Sequence, residues 1–393
     1  MGECNVLFCR TFFHISTHSQ IYQYNYLVAS LPLVSICIPT YNAEAFIVET
    51  IDSALAQTYA VLEIVISDDG SSDRTVEIAR QLLDRKLDGK GITWQLDTHD
   101  RLGIAANWNH CISLAQGKYI KFLFQDDVIA PDCIAKMVTL AEQDTEIGLV
   151  FARRNIINSD DTKLDQLYVD ITQGWTNLSA IQSGRSLLAD PKLLEAPLNK
   201  IGEPTAVLIT KAVFDKVGLF DPNLQQVLDL DMWLRIMAQY KIGYIDETLA
   251  GFRVHRNQQS IQNAQSGASW IDDWRLQFKM LGDRSYSLLP AELKQTLVEL
   301  CSSSISQTYK DLEGLRSQVV DAYKQLEATR QRLQAEVEQL QEQNWQTTGQ
   351  LNLAQAHLEQ SQAQIAAMES SKFWKLRSTW LGIKRALGLP AEE

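Results

Sequence analysis

Lys118-Tyr119-Ile120-Lys121-Phe122-Leu123-Phe124-Gln125-Asp126-Asp127 is the stretch that decides the fold. Tyr119 to Leu123 have strand character and are expected to lie buried in a sheet, and the run then ends on two adjacent carboxylates. Pro131, shortly after, suits the start of a helix. Two acids at the mouth of a buried strand lie where open α/β sheets bind ligands, outside the carboxyl ends of the strands. Adjacent like charges are costly unless solvated or bridged, and hard carboxylate oxygens suit Mg²⁺ or Mn²⁺ carrying phosphate on its other faces. Taken alone, the pair reads better as a strand end and a helix cap. Its surroundings change that balance.

Toward the N-terminus the same pattern repeats. Leu33 to Ile38 is a nearly continuous apolar run, as in a strand covered on both faces, and it meets Pro39-Thr40-Tyr41-Asn42, where Pro39 is expected to stop the strand. Phe46, Ile47, Ile51, Ala54 and Leu55 follow at helical spacing. Leu62 to Ile66 is a second strand, ending in Ser67-Asp68-Asp69-Gly70-Ser71-Ser72-Asp73, where Gly70 permits a tight turn and the Ser and Asp residues suit helix caps. A helix from about Arg74 to Leu83, a strand over Ile92–Leu96 and a helix over Gly103–Ala115 complete the alternation. Alternating strands and helices predict βαβ units, a parallel sheet and right-handed crossovers. Three strand ends then fall on one edge, which brings Tyr41, Asp69, Asp126 and Asp127 together.

Those three motifs, in that order and spacing, resemble the nucleotide-binding half of family 2 glycosyltransferases, which have the GT-A fold, and the likeness runs from about Leu33 to Ser260. The resemblance implies that Tyr41 packs on a nucleotide base and that Asp69 hydrogen-bonds it, with Pro39, Thr40 and Asp68 close by. It implies Asp126 toward the ribose or the metal and Asp127 as a metal ligand. Two departures stand out. Many relatives have Asp-x-Asp-Asp where Phe124 opens the third motif, and many have an arginine after Gly103 where this chain has Asn107-Trp108-Asn109.

Farther on, Ile147–Phe151 reads as a strand and Asn155–Gly184 as polar loops around an acceptor groove. Gly202 and Glu203 precede another strand, where backbone approaches a sugar or phosphate closely or simply turns. Val227-Leu228-Asp229-Leu230-Asp231-Met232-Trp233-Leu234-Arg235 resembles the family's Glu-Asp-x-Asp-x-Trp-x-x-Arg segment, with Leu228 in place of the glutamate; Asp229 then matches the catalytic base. Residues two apart on a helix point about 200° from each other, so only one of Asp229 and Asp231 faces the cleft. His255 falls where GT-A enzymes often present a metal or diphosphate ligand. His14, His18, His99, His110 and His357 have no such support.

From about Glu299 the chain changes character, with glycine and proline sparse and Gln, Glu, Leu and Ala abundant. Leu312, Val319, Leu326, Leu333 and Leu340 recur every seven residues, with Leu315 and Ala322 as companions, and Val337, Asn344, Leu351, Leu358 and Ile365 repeat the step in a shifted register. That is a coiled-coil seam with a stutter near Leu333 to Leu340, weakened by Glu336, Gln343, Thr347 and Gln350 near seam positions. Lys372 to Leu387 is basic and aromatic and suits an anionic membrane surface, or a helix folded back on the body. The expected organisation is an N-terminal extension over 1–30, a GT-A domain over 31–265, a helical linker over 266–298, a coiled coil over 299–370 and a basic amphipathic segment over 371–393.

A net charge of −12, from 36 basic and 48 acidic residues, argues against a nucleic-acid binder. Six cysteines without paired spacing fit reduced thiols in a cytoplasmic protein, peripheral on the membrane if its last segment binds there. No apolar run approaches the roughly 20 residues of a spanning helix. The expectation is a metal-dependent, inverting transfer of sugar from a UDP-, GDP- or dTDP-sugar to a glycan or glycolipid hydroxyl, in cell-surface polysaccharide synthesis, with self-association through the coiled coil. The rivals are a nucleotidyltransferase or dinucleotide-dependent oxidoreductase, the latter lacking Gly-x-Gly-x-x-Gly after the first strand, and a coiled-coil scaffold with a degenerate transferase domain.

Overall fold

The computed structural model describes residues 31–87, 92–157, 174–255, 258–370 and 372–387. The expected extension over 1–30 and much of the expected loop region, 158–173, lie outside these residues. Strand β1 (Val34–Thr40) is followed by α1 (Ile47–Leu55), β2 (Leu62–Asp68), α2 (Thr75–Leu87), β3 (Thr93–Thr98), α3 (Ile104–Leu114) and β4 (Tyr119–Phe122). β1 is buried throughout because both faces of the sheet are covered. Val34, Ile36 and Ile38 join α1, α2 and the later helix α4 (Cys133–Ala141) in one apolar layer, while Cys37 joins α3 in the other.

β1 pairs in parallel with both β2 and β4, and β2 pairs with β3, giving the order β3-β2-β1-β4. The chain therefore winds outward from β1 to β3 and then crosses back to β1's other side. The reversal leaves a crevice between the carboxyl ends of β1 and β4, the switch point where ligands bind in open α/β sheets. Pro39 does not end β1, which continues to Thr40. It costs no ladder bond on the β4 side, because that pairing stops at Cys37 opposite Phe122.

Beyond β4 the pairing turns antiparallel through β8 (Val207–Thr210) to β6 (Ile147–Ile157), which runs on past the expected Phe151. β9 (Lys241–Arg253) lies parallel to β6 and is flanked on its far side by β5 (Val128–Ile129) and β7 (Ile181–Ser183). The short helices α5 (Gly184–Leu188) and α6 (Val213–Val217) precede α7 (Leu228–Met237), and α8 (Gln259–Ser266) and α9 (Ala268–Gly282) follow the sheet. Helix α10 (Ala291–Ser370) begins with Leu293, Leu297 and Cys301 buried in the body's core.

The described residues divide after Ser303 into two compact units. In the second, α10 is continuous through the register shift, and its seam residues face outward, Leu326 being 66% exposed. Helix α11 (Lys372–Ala386) follows. Among the described residues no helix is long and apolar enough to cross a membrane. Cys37, Cys111, Cys133 and Cys301 are free and buried.

Candidate active site

A cleft of about 840 Å³ opens at the switch point, lined by Pro39, Thr40, Tyr41, Asp69, Asp126, Glu203, Asp229 and His255 among others. Each is delivered by the end of a strand or the start of a helix. At the end of β1, Tyr41 is 37% exposed and its ring carries the Arg101 guanidinium, with Cζ 3.4 Å from the ring centre. The Gln125 amide grips the backbone of Tyr41 from both sides, accepting from its N–H at 2.6 Å and donating to its carbonyl at 3.2 Å. The mouths of β1 and β4 are thereby stitched together.

The two acids after β2 divide their work. Asp68 is buried and accepts from the Thr40 hydroxyl at 2.9 Å, the Ser71 N–H at 2.8 Å and the Ser71 hydroxyl at 2.6 Å, so it holds the turn beneath the cleft. Asp69 reaches the cleft and accepts from the N–H groups of Leu102 at 2.5 Å and Gly103 at 3.0 Å, which anchors the Arg101 loop. Gly70 makes the turn with φ +75°, a region that disfavours other residues.

The pair after β4 divides in the same way. Asp127 is fully buried, and its two oxygens accept from the Thr205 hydroxyl at 2.6 Å and the Arg253 N–H at 2.9 Å. Burial, and then the charge of Asp126, push its carboxyl well above the usual range. Asp126 instead faces the cleft, with Oδ2 3.0 Å from His255 Nε2, and the His255 ring lies against Phe46 at 4.9 Å. The expected metal set of Asp126, Asp127 and His255 therefore contributes one carboxylate and one imidazole to the cleft. No cluster of three or more His, Cys, Asp or Glu side chains suited to a metal occurs among the described residues. Two protein ligands nevertheless fit Mg²⁺ or Mn²⁺, which takes its remaining positions from substrate phosphates and water.

On α7, Asp229 lines the cleft and Asp231 is fully buried. Asp229 accepts from Asn199 Nδ2 at 2.8 Å and from the Leu230 N–H at 2.7 Å. Burial pushes its carboxyl up to about 7; those two donors oppose the shift and the nearby charge of Glu203 adds to it. Asn199 also closes the Gly202 turn, accepting from its N–H at 2.9 Å, and the Gly202 carbonyl accepts from Trp233 Nε1 at 3.0 Å. Glu203 is held by Arg154 through two contacts, at 2.8 and 3.2 Å. Gly202 thus connects the loop before β8 to α7, and Glu203 connects it to β6.

Motif reasoning passed over Asn199, Thr205, Gln125 and Arg101, whose roles come from contacts across the fold. The one signal for the amides that also line the cleft was the density of Gln and Asn between Asn257 and Asn263. Asn257 itself, with Arg256, lies outside the described residues.

The glycosyl transferase family 2 model matches residues 35–218. An uncharacterised Mycobacterium tuberculosis protein is 34% identical over 222 residues, 56% of this chain and 66% of that one. An uncharacterised glycosyltransferase of Rickettsia prowazekii is 29% identical, over 68% of this chain and 79% of its own. Chondroitin synthase of Pasteurella multocida is 26% identical over 59% of this chain, but only 22% of the synthase. The chain thus spans just under two thirds of the mycobacterial relative and about a fifth of the synthase. In fold, it is similar to S. aureus TarS 1-349 in complex with UDP, with a TM-score of 0.50 and 16% identity over 70% of this chain and 72% of that one.

Proposed function

The chain belongs to glycosyl transferase family 2, and from that premise we propose that it moves a sugar from a nucleotide-activated donor to an acceptor hydroxyl, with a divalent cation and inversion at the anomeric carbon. The observation that carries the reading is the arrangement of one cleft. An aromatic ring, Tyr41, follows β1 and a carboxylate, Asp69, follows β2; the Asp126–His255 pair joins the segments after β4 and β9, and Asp229 stands on α7.

Tyr41 offers its face to the base and Asp69 accepts from the base's N–H. Asp126 and His255 are the residues that would hold Mg²⁺ or Mn²⁺. When bound, the cation neutralises the charge that builds on the departing diphosphate. Asp229 takes the proton of the acceptor hydroxyl as that oxygen attacks. Its pKa of about 7 suits a base working near neutrality, and Asn199 holds it in place. A single displacement with one base and no covalent intermediate inverts the configuration.

UDP-, GDP- and dTDP-sugars are the donor candidates, with UDP favoured by the complex known for TarS. A glycan or glycolipid acceptor in cell-surface polysaccharide synthesis follows the synthase among the relatives. Incubating the protein with each donor and Mn²⁺ tests this: nucleoside diphosphate release that needs the metal is expected, and no release from any donor overturns it. A scaffold role for the second unit rests on the exposed seam of α10, which suits a second copy of this chain. The basic helix α11 suits contact with an anionic membrane surface. Sedimentation of the full chain, alone and with anionic vesicles, tests both.

A further inference from the structure

One part of the cleft is lined by side-chain amides, among them Gln225, Gln226, Gln259 and Asn263. Asn263, only 3% exposed, sets their polarity. Its Nδ2 donates to the backbone carbonyl of Gln225 at 3.1 Å, and a carbonyl can only accept, so this amide cannot be turned over. The other Nδ2 hydrogen goes to Gln226 Oε1 at 3.0 Å, and Oδ1 accepts from Gln259 Nε2 at 2.8 Å. Two groups are left over by necessity: the NH₂ of Gln226, a donor, and the carbonyl oxygen of Gln259, an acceptor. Neither has another partner among the described residues. Each is polarised by the buried amide between them.

Rigid placement comes from α9. Asp272, 1% exposed, accepts from the backbone N–H groups of both Gln225 and Gln226, the latter at 2.7 Å, and so fixes the loop that leads into α7. Asp229 stands three residues after Gln226, and His255 four before Gln259.

We infer that Gln226 and Gln259, aligned by Asn263, form a subsite that reads neighbouring hydroxyls of an uncharged sugar ring at the reacting end of the cleft. A hydroxyl both donates and accepts, so adjacent hydroxyls satisfy one fixed donor and one fixed acceptor together. The ring is uncharged because the acids that line the cleft, Asp69, Asp126, Glu203 and Asp229, outnumber its one guanidinium, Arg101, and its one imidazole, His255, so a uronic acid or phosphodiester would meet net like charge there. The inference rests on the transferase reading and deepens it. The ring belongs either to the donor sugar or to the acceptor.

Gln226→Leu and Gln259→Leu, at part-exposed and exposed positions, separate the two sources. In the donor arm, binding of the nucleotide sugar is measured against the nucleoside diphosphate alone. In the acceptor arm, KM is measured for methyl glycosides of neutral hexoses and N-acetylhexosamines, beside methyl glucuronide and glycerol phosphate. Each variant is expected to lose about three- to tenfold in one arm, the scale of one hydrogen bond, with nucleoside diphosphate binding unchanged. No loss in either arm, equal loss for the nucleoside diphosphate, or a wild-type preference for the anionic acceptors overturns the subsite. If the wild type consumes no donor, the transferase reading fails. Binding of the neutral methyl glycosides, followed by ligand-observed NMR, then judges the subsite independently: loss in both variants upholds it, and unchanged binding or none overturns it.

Discussion

The mouth of β4 and the first turn of α7 each carry two acids close in sequence, and each turns one acid inward and one toward the cleft. The inward acids are kept by different means. Asp231 is held by Arg235 at 2.6 Å, Lys279 at 2.8 Å and the Tyr286 hydroxyl at 2.7 Å, and so ties α9 and the Tyr286 turn to α7. Asp127 has only a hydroxyl and an N–H, because the buried Lys121 ammonium donates to the carbonyls of Thr205 and Val207 instead. The outward acids differ as well. Asp126 has the His255 imidazole beside it, whereas Asp229 has only amide donors and a carboxyl pushed up to about 7. Neighbouring acids thus serve opposite ends, and the partner set decides which.

The largest test of that contrast is Asp229→Asn. Loss of the base should lower kcat by about 10²- to 10⁴-fold, and in the wild type kcat/KM should rise as pH climbs through about 7. Stability should move the other way. A carboxyl whose folded pKa is raised from 3.8 to about 7 contributes stability that is complete below the unfolded value and lost as pH rises through the folded one. Asp229→Asn should therefore raise Tm at pH 8 more than at pH 5. Thermal melts at the two pH values check this, and equal shifts would show that the carboxyl titrates normally.

Asp231→Asn, two residues along the same helix, should do the reverse. It leaves Arg235 and Lys279 without their common carboxylate, at a cost of about 3–5 kcal/mol, measurable by urea unfolding. The third test returns to β4. Asp126→Asn and His255→Ala should each weaken Mn²⁺ binding in the presence of UDP by about ten- to a hundredfold, the scale of a lost charge-assisted contact. Asp127→Asn should leave Mn²⁺ affinity close to wild type, since its oxygens are spent on Thr205 and Arg253. Calorimetry distinguishes these, and a large loss in Asp127→Asn would move the metal inward.

The parallel half of the sheet and its three strand ends were legible in the chain because local patterns specify them: buried runs, a glycine turn and acids at fixed offsets. The separation of Asp229 from Asp231 was legible for the same reason, helical period alone. The inward turn of Asp127 was not, since it depends on Thr205 and Arg253, which are 78 and 126 residues away. The polarity of Gln226 and Gln259 likewise depends on a carbonyl contacting Asn263 from 38 residues away. Contacts of that span leave no periodic trace.

The smallest effect concerns the two departures from the expected motifs, Phe124 at the opening of the third motif and Trp108 within Asn107-Trp108-Asn109. Their rings lie 4.6 Å apart, and Trp108 also packs edge-on against Phe220. The side chains at the two departures thus pack on each other and can be tested as one unit. Phe124→Asp and Trp108→Arg should each destabilise the chain. The double variant should be less damaged than the sum of the two by about 0.5–3 kcal/mol, the range for residues in direct contact. Strict additivity in urea unfolding would instead make the two sites independent, and the absent acid would then count as erosion of the site.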